Sequence, residues 1–183
     1  MFIQTEQTPN PATLKFLPGC TVMESGTANF TDLAAAAARS PLAERLFALP
    51  EVSGIFLGSD FITVTKSGDG DWFQLKPAVL AAIMEHFTAG LPVITGAPET
   101  VAASETEDDE VVSAIKELLE TRVRPAVAQD GGDIIFEDFE DGIVYLHMQG
   151  SCSGCPSSTA TLKAGIENML RHYIPEVLEV RAV

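Results

Sequence analysis

The first half of the chain alternates short runs that suit strands with apolar stripes that suit helices. Runs rich in β-branched and aromatic residues predict strands at 2–6, 13–17, 52–57 and 61–66, the last two joined as a hairpin. Helix-prone runs predict helices at 32–39, 41–49 and 76–88. One face of the last helix is expected to carry five apolar residues: Val79, Leu80, Ile83, Met84 and Phe87. This pattern predicts an α+β domain and contains no arrangement typical of a catalytic site.

The second half of the chain has a clearer pattern. Its first apolar stripe predicts an amphipathic helix over Val111, Ile115, Leu118 and Leu119. Pro125 is expected to kink or end that helix. After a turn at 130–133, strands at 134–139 and 143–148 flank Asp141-Gly142, a favoured two-residue hairpin loop. A loop at 149–154, a helix from Pro156 and a strand at 177–183 complete the order α-β-β-α-β.

The segment between the two halves has the composition of a linker. It contains Pro92, Gly96 and Pro98, it keeps no hydrophobic period, and it ends in an acidic run at 105–109. We therefore predict an N-terminal domain at 1–90, a linker at 91–108 and a C-terminal domain at 109–183. The predicted fold class is α+β, with two small domains.

Charge and composition narrow the possible functions. The net charge is −15, and a chain this acidic is repelled by phosphate backbones, which argues against nucleic-acid binding. No apolar run is long enough to predict a membrane span. The first residues lack the pattern of a signal or transit peptide, so we expect a cytoplasmic protein or an already processed one. Three cysteines form an odd number, which argues against a disulfide framework.

The motif with the clearest chemistry is Cys152-Ser153-Gly154-Cys155, which lies between a predicted strand and a predicted helix. Pro156 suits the first position of a helix, so both thiols are expected near the helix N-terminus. The positive partial charge there favours thiolates and anionic metal–sulfur centres. Gly150 and Gly154 are expected to let backbone amides approach the sulfurs, on an exposed loop.

Four interpretations of this motif compete. Two structural thiols, a thioredoxin-like redox pair, and a zinc site completed by His147 and His172 are each compatible with the spacing. The redox pair is disfavoured because no βαβ unit is evident. The fourth interpretation is an iron–sulfur cluster that bridges two chains, since such clusters generally take four thiolates and two copies of the motif supply them. Cys20 is expected not to be a ligand, and both [2Fe–2S] and [4Fe–4S] centres accept four thiolates.

The residues at 148–162, preceded by Arg124-Pro125 and Asp130-Gly131-Gly132-Asp133, resemble the C-terminal domain of the NifU-like iron–sulfur scaffold and carrier family. The segments at 7–16 and 60–66 are similar to the accessory N-terminal domain of its two-domain branch. The resemblance implies a homodimer that holds one [4Fe–4S] cluster through Cys152 and Cys155 of each subunit.

The resemblance also sets an expected function. Such a protein assembles or receives a cluster from an upstream donor and transfers it to apo-proteins, without being an enzyme. The location expected first is the bacterial cytoplasm, with the mitochondrial matrix if the chain is a processed form. The alternative function is that of a thiol–disulfide oxidoreductase using Cys152 and Cys155. The N-terminal domain is expected to recognise a partner or to stabilise the site domain.

Overall fold

A computed structural model describes residues 1–96, 110–153 and 156–183, with side chains from Thr159 onward in the last stretch. The chain divides into two compact units, Met1–Pro98 and Glu99–Val183, each with its own hydrophobic core. Both units combine helices with a sheet, which confirms the α+β class with two small domains. The precise bounds 1–90, 91–108 and 109–183 stay a prediction.

The first unit is built on a five-stranded antiparallel sheet in the order β1-β2-β5-β4-β3. The strands are β1 (Gln4–Gln7), β2 (Thr13–Leu17), β3 (Ala28–Phe30), β4 (Val52–Leu57) and β5 (Ile62–Lys66). The predicted hairpin is the antiparallel pair β4 and β5. The sequence did not predict β3, because three residues are too short to establish a period of two.

Three helices belong to this unit: α1 (Leu33–Arg39), α2 (Pro41–Phe47) and α3 (Trp72–Thr88). The last begins four residues earlier than predicted, because the Asp71 carboxylate accepts a hydrogen bond from the Phe73 amide and caps the first turn. The buried face of α3 also differs from the predicted one. It carries Leu75, Val79, Ala82, Ile83 and His86, whereas Met84 is exposed.

The second unit begins with a helix that Pro125 does not end. The helix α4 (Glu110–Leu118) continues as a π-helical turn (Leu119–Val123) and then as α5 (Arg124–Gln129), with Pro125 in the first turn of α5. The first turn of a helix tolerates proline because its amide needs no partner there. The π-helical turn precedes α5 directly, so the chain stays helical from Glu110 to Gln129.

A three-stranded sheet completes the second unit, in the order β6-β7-β8. The hairpin of β6 (Gly132–Glu140) and β7 (Ile143–Gly150) turns at Asp141-Gly142, as predicted, and both turn residues have positive φ. After α6 (Pro156–Tyr173), the strand β8 (Glu179–Ala182) pairs with β7 in parallel. In β7, Val144, Leu146 and Met148 are buried on one face. Within the described ranges, no helix is both long and apolar enough to cross a bilayer.

Candidate metal centre

The junction between β7 and α6 positions the first of the two predicted ligand cysteines. The strand ends at Gly150 and the helix begins at Pro156, so Cys152 lies in the connection, as predicted. Gly150 has a φ of 66°, a conformation that favours glycine and turns the chain out of the sheet. Cys155 and Gly154 lie outside the described residues, and the roles predicted for them stay predictions.

Backbone and hydroxyl hydrogen bonds hold the residues around Cys152 from two sides. The Ser151 hydroxyl donates to the Asp130 carbonyl, and the Ser151 amide donates to the Gly131 carbonyl at 3.2 Å. The Thr159 hydroxyl, on α6, donates to the Cys152 carbonyl at 2.9 Å. Cys152 is therefore tied to the turn before β6 and to the first turns of α6.

The Cys152 side chain is buried, which corrects the expectation of an exposed loop. The residue is 6% exposed and belongs to the hydrophobic core of its unit. Its sulfur packs against the backbone of Gly132, where a Cβ atom would come within 2.5 Å of Sγ. The glycine leaves the space that the sulfur occupies, so the turn at 130–131 and the first residue of β6 form one wall of the site.

The electrostatic setting of Cys152 also differs from the predicted one. Burial raises the pKa of the Cys152 thiol to about 11, and the carboxylates of Asp130 and Asp133 raise it as well, whereas a hydrogen bond with Ser151 lowers it. The expectation that the helix N-terminus favours a thiolate is therefore wrong for Cys152 in this conformation. A metal that binds here must displace the thiol proton.

A buried ion pair fixes the turn that forms this wall. The Arg124 guanidinium donates two hydrogen bonds to the Asp133 carboxylate, both at 2.8 Å, and a third to Glu120. Asp133 is 3% exposed and also accepts a hydrogen bond from the Ile134 amide. The hydrogen bonds to Asp133 raise the pKa of Arg124 above its usual value, so the guanidinium stays charged. The ion pair links α5 to the start of β6, directly beside Gly132.

The histidines proposed as zinc ligands have other surroundings. His147 lies on the opposite face of β7 from Val144, Leu146 and Met148, and its Nδ1 lies 3.1 Å from the Val183 carbonyl oxygen. His172 contacts Tyr173 edge-on near the far end of α6. In the part of the chain that the structure describes, no three His, Cys, Asp or Glu side chains are grouped to hold a metal. Cys20 is exposed and belongs to the first unit.

The topology corrects one argument against a redox pair. Strands β7 and β8 are parallel and are joined through α6, so the motif does lie in a βαβ unit. The environment of Cys152 supplies a different argument, because reactive cysteines are partly exposed in electropositive surroundings. Cys152 is buried and lies near two carboxylates. No sequence pattern marks Gly132, Ser151 and Thr159 as residues that shape the site, since only their contacts in the folded chain identify them.

Two protein-family models match the chain, one for each unit. The model described as "Scaffold protein Nfu/NifU N terminal" matches residues 3–90, and the model described as "NifU-like domain" matches residues 115–181.

Curated relatives match over the whole length of this chain. The human protein named "NFU1 iron-sulfur cluster scaffold homolog, mitochondrial" is 56% identical, and this chain covers 72% of it. A Drosophila virilis protein of the same name is 53% identical, and this chain covers 62% of it. A solution NMR structure of a NifU-like protein from Saccharomyces cerevisiae is similar to part of this chain, with 26% sequence identity and a TM-score of 0.48. The match covers 53% of this chain and 87% of the yeast chain.

Proposed function

This chain belongs to the Nfu and NifU-like family of iron–sulfur cluster scaffold proteins, and we propose that it carries a [4Fe–4S] cluster between two copies of itself. The observation that carries the proposal is the pair Cys152 and Cys155, within the unit that matches the NifU-like model. One chain offers two thiols at this junction, whereas a cluster takes four. A two-fold axis between identical chains supplies the other two.

The cluster is the cargo of this protein and not a resident cofactor. Cys152 and Cys155 of each copy bind it, and each thiol loses its proton as the iron–sulfur bond forms. The N-terminus of α6 faces the same connection, and its positive partial charge stabilises the anionic centre. Cys20 and the two histidines, His147 and His172, take no part.

A site divided between two subunits suits transfer. When the thiolates of an apo-protein replace the pair from one subunit, the cluster leaves without one protein having to release all four ligands at once. The partners are therefore an upstream cluster donor, a second copy of this chain and apo-proteins that need a cluster. The protein acts as a carrier and not as an enzyme, and the first unit contributes recognition or stability.

The names of the relatives bear on the proposed location. Both relatives described above are named as mitochondrial proteins, which supports the mitochondrial matrix over the bacterial cytoplasm that the sequence first led us to expect. Either compartment is reducing enough to keep the thiols free.

Anaerobic loading with iron and sulfide tests the proposal. We expect a brown dimer with four irons for two chains, a Mössbauer spectrum of a [4Fe–4S] centre, and transfer to an apo-enzyme. Cys152→Ala and Cys155→Ala should abolish stable loading, whereas Cys20→Ala, the matched control, should load normally. A colourless monomer that reduces disulfides instead would establish the alternative, a thiol–disulfide oxidoreductase. A [2Fe–2S] spectrum would correct the cluster type alone.

A further inference from the structure

The burial of Cys152 conflicts with the position that a shared cluster needs. A cluster on a two-fold axis lies outside the surface of each protomer, so its ligand sulfurs must reach that surface. Cys152 instead lies inside the core of its unit, with its sulfur against Gly132. The side chain must therefore move outward before it can ligate, and the contacts that hold it inside oppose loading.

Ser151 provides the contact best placed to control this movement. The residue is 2% exposed, and its amide and hydroxyl both bind the turn at 130–131, while its side chain also lies within hydrogen-bond reach of the Cys152 sulfur. Its amide continues the β6–β7 ladder by one step beyond the Gly132–Gly150 pair. Only the hydroxyl is therefore specific to serine, and its loss leaves the backbone pairing in place.

The acceptor of this hydroxyl has an alternative partner in water. Asp130 ends α5 and is exposed, so its carbonyl can be hydrated once Ser151 moves away. On the other side of the connection, the Thr159 hydroxyl holds the Cys152 carbonyl. These contacts give the connection a defined inner position, and the hydrogen bonds of Ser151 and Thr159 oppose its release from that position.

We propose that Ser151 is a positioning residue that holds the Cys152 thiol in this withdrawn position, and that cluster loading proceeds through release of its hydroxyl from Asp130. The proposal rests on the proposed function, since it explains how a buried thiol becomes a ligand of a shared cluster. While the thiol is withdrawn, it is shielded from oxidants and stray metal ions. The rate of outward movement then limits the rate of loading.

Alkylation of the apo-protein with iodoacetamide, followed by mass spectrometry, measures the outward movement. In the wild type we expect Cys152 to react far more slowly than exposed Cys20, which serves as an internal reference. Because Ser151 also lowers the pKa of Cys152, rates are compared per thiolate, from the pH dependence of labelling in each variant. On that basis Ser151→Ala should raise the rate at Cys152 about tenfold, the factor that corresponds to one hydrogen bond, and leave Cys20 unchanged. The initial rate of anaerobic cluster loading should rise with it. Ser151→Thr, which keeps a hydroxyl, should restore the slow rates.

Ser153→Ala is the matched control. Ser153 is exposed, and its hydroxyl donates to the Gly150 carbonyl at 2.9 Å, within the connection itself, so both rates should stay near those of the wild type. Thermal unfolding distinguishes a positioning role of Ser151 from a general loss of structure. A variant that is only destabilised would have a lower unfolding midpoint, but its alkylation rate and its loading rate would not rise together. If Ser151→Ala misfolds, Thr159→Val tests the same inner position from α6, with both rates again expected to rise.

Two results would overturn the proposal: equal labelling of Cys152 and Cys20 in the wild type, or faster labelling in Ser151→Ala without faster loading. Failure of the wild type to bind any cluster would refute the proposed function instead, and the labelling rates would still report whether Ser151 withdraws the thiol.

Discussion

Substitution of Gly132 by alanine tests how tightly the site is packed. A Cβ atom at this position would lie 2.5 Å from the Cys152 sulfur, 2.8 Å from the Gln149 carbonyl oxygen and 3.1 Å from the Cys152 amide nitrogen. The sulfur could rotate away, but the two backbone atoms belong to the end of β7 and the connection that follows it. Alanine therefore has to displace the backbone on which the site is built.

The size of the effect follows from this overpacking. Forcing one methyl group into a filled space typically costs 1–3 kcal/mol, and contacts to backbone place Gly132→Ala at about 2–3 kcal/mol. For a unit of this size, such a loss lowers the midpoint of thermal unfolding by roughly 10 °C or more. We also expect Cys152 to be pushed outward, with faster alkylation than in the wild type.

Thermal unfolding followed by circular dichroism measures the loss of stability, and iodoacetamide labelling measures the outward shift of Cys152. Gly165→Ala is the matched control, since Gly165 lies within α6 and a Cβ atom there would meet nothing within 4 Å. Alanine should stabilise the helix by about 0.5–1 kcal/mol, the opposite sign. If Gly132→Ala proved as stable as Gly165→Ala, the described packing of Cys152 on Gly132 would be refuted.

Three further predictions concern buried polar groups. Arg124→Met leaves the buried Asp133 carboxylate without its partner and should destabilise the second unit by about 3 kcal/mol in urea unfolding. Ser40→Ala removes the cap of α2 and a hydrogen bond to a carbonyl of the segment after α3, so the first unit should lose about 2 kcal/mol. Burial holds the pKa of His86 below its usual value, so the unfolded chain binds the proton first. As the pH is lowered from about 6.5, the free energy of unfolding of the first unit should decrease by up to roughly 1.4 kcal/mol per pH unit. His86→Gln should remove that pH dependence.

Separate probes make these outcomes decisive. Trp72, the single tryptophan, reports on the first unit, whereas Tyr145 and Tyr173, the two tyrosines, both lie in the second. An Arg124→Met/Asp133→Asn double variant should recover stability relative to Arg124→Met, and its failure to do so would contradict the charge argument. An unchanged Trp72 transition in Ser40→Ala, or an identical pH profile in His86→Gln, would contradict the other two.

Local chemistry explains what the sequence could predict. The Asp141-Gly142 turn and the start of α6 at Pro156 depend on residues within a few positions of each other, so both were predicted to the residue. The burial of Cys152, by contrast, depends on its contact with Gly132, which lies twenty positions away in the chain. No local pattern reveals that contact, and the motif alone suggested an exposed thiolate.

The errors in the helices have a similar origin. Pro125 was expected to kink or end its helix because proline removes a hydrogen bond, yet the π turn over Leu119–Val123 allows a new helical segment to start around it. The βαβ unit was not predicted because its recognition requires the direction of strand pairing. The sequence predicted both strands, but it did not show that β8 pairs in parallel with β7. Strand direction is set by the path of α6 across the sheet.

The parallel pairing of β8 with β7 fixes when the second unit can finish folding. Antiparallel β6 and β7 can pair as soon as their short turn is made, but β7 gains its other neighbour only after α6 and β8 have been synthesised. Pairing of Ile143 with Glu179 closes a long loop, which makes it a late and slow event. During translation, therefore, the cysteine connection exists before the crossover that braces it, and a nascent chain has two thiols without a finished site around them.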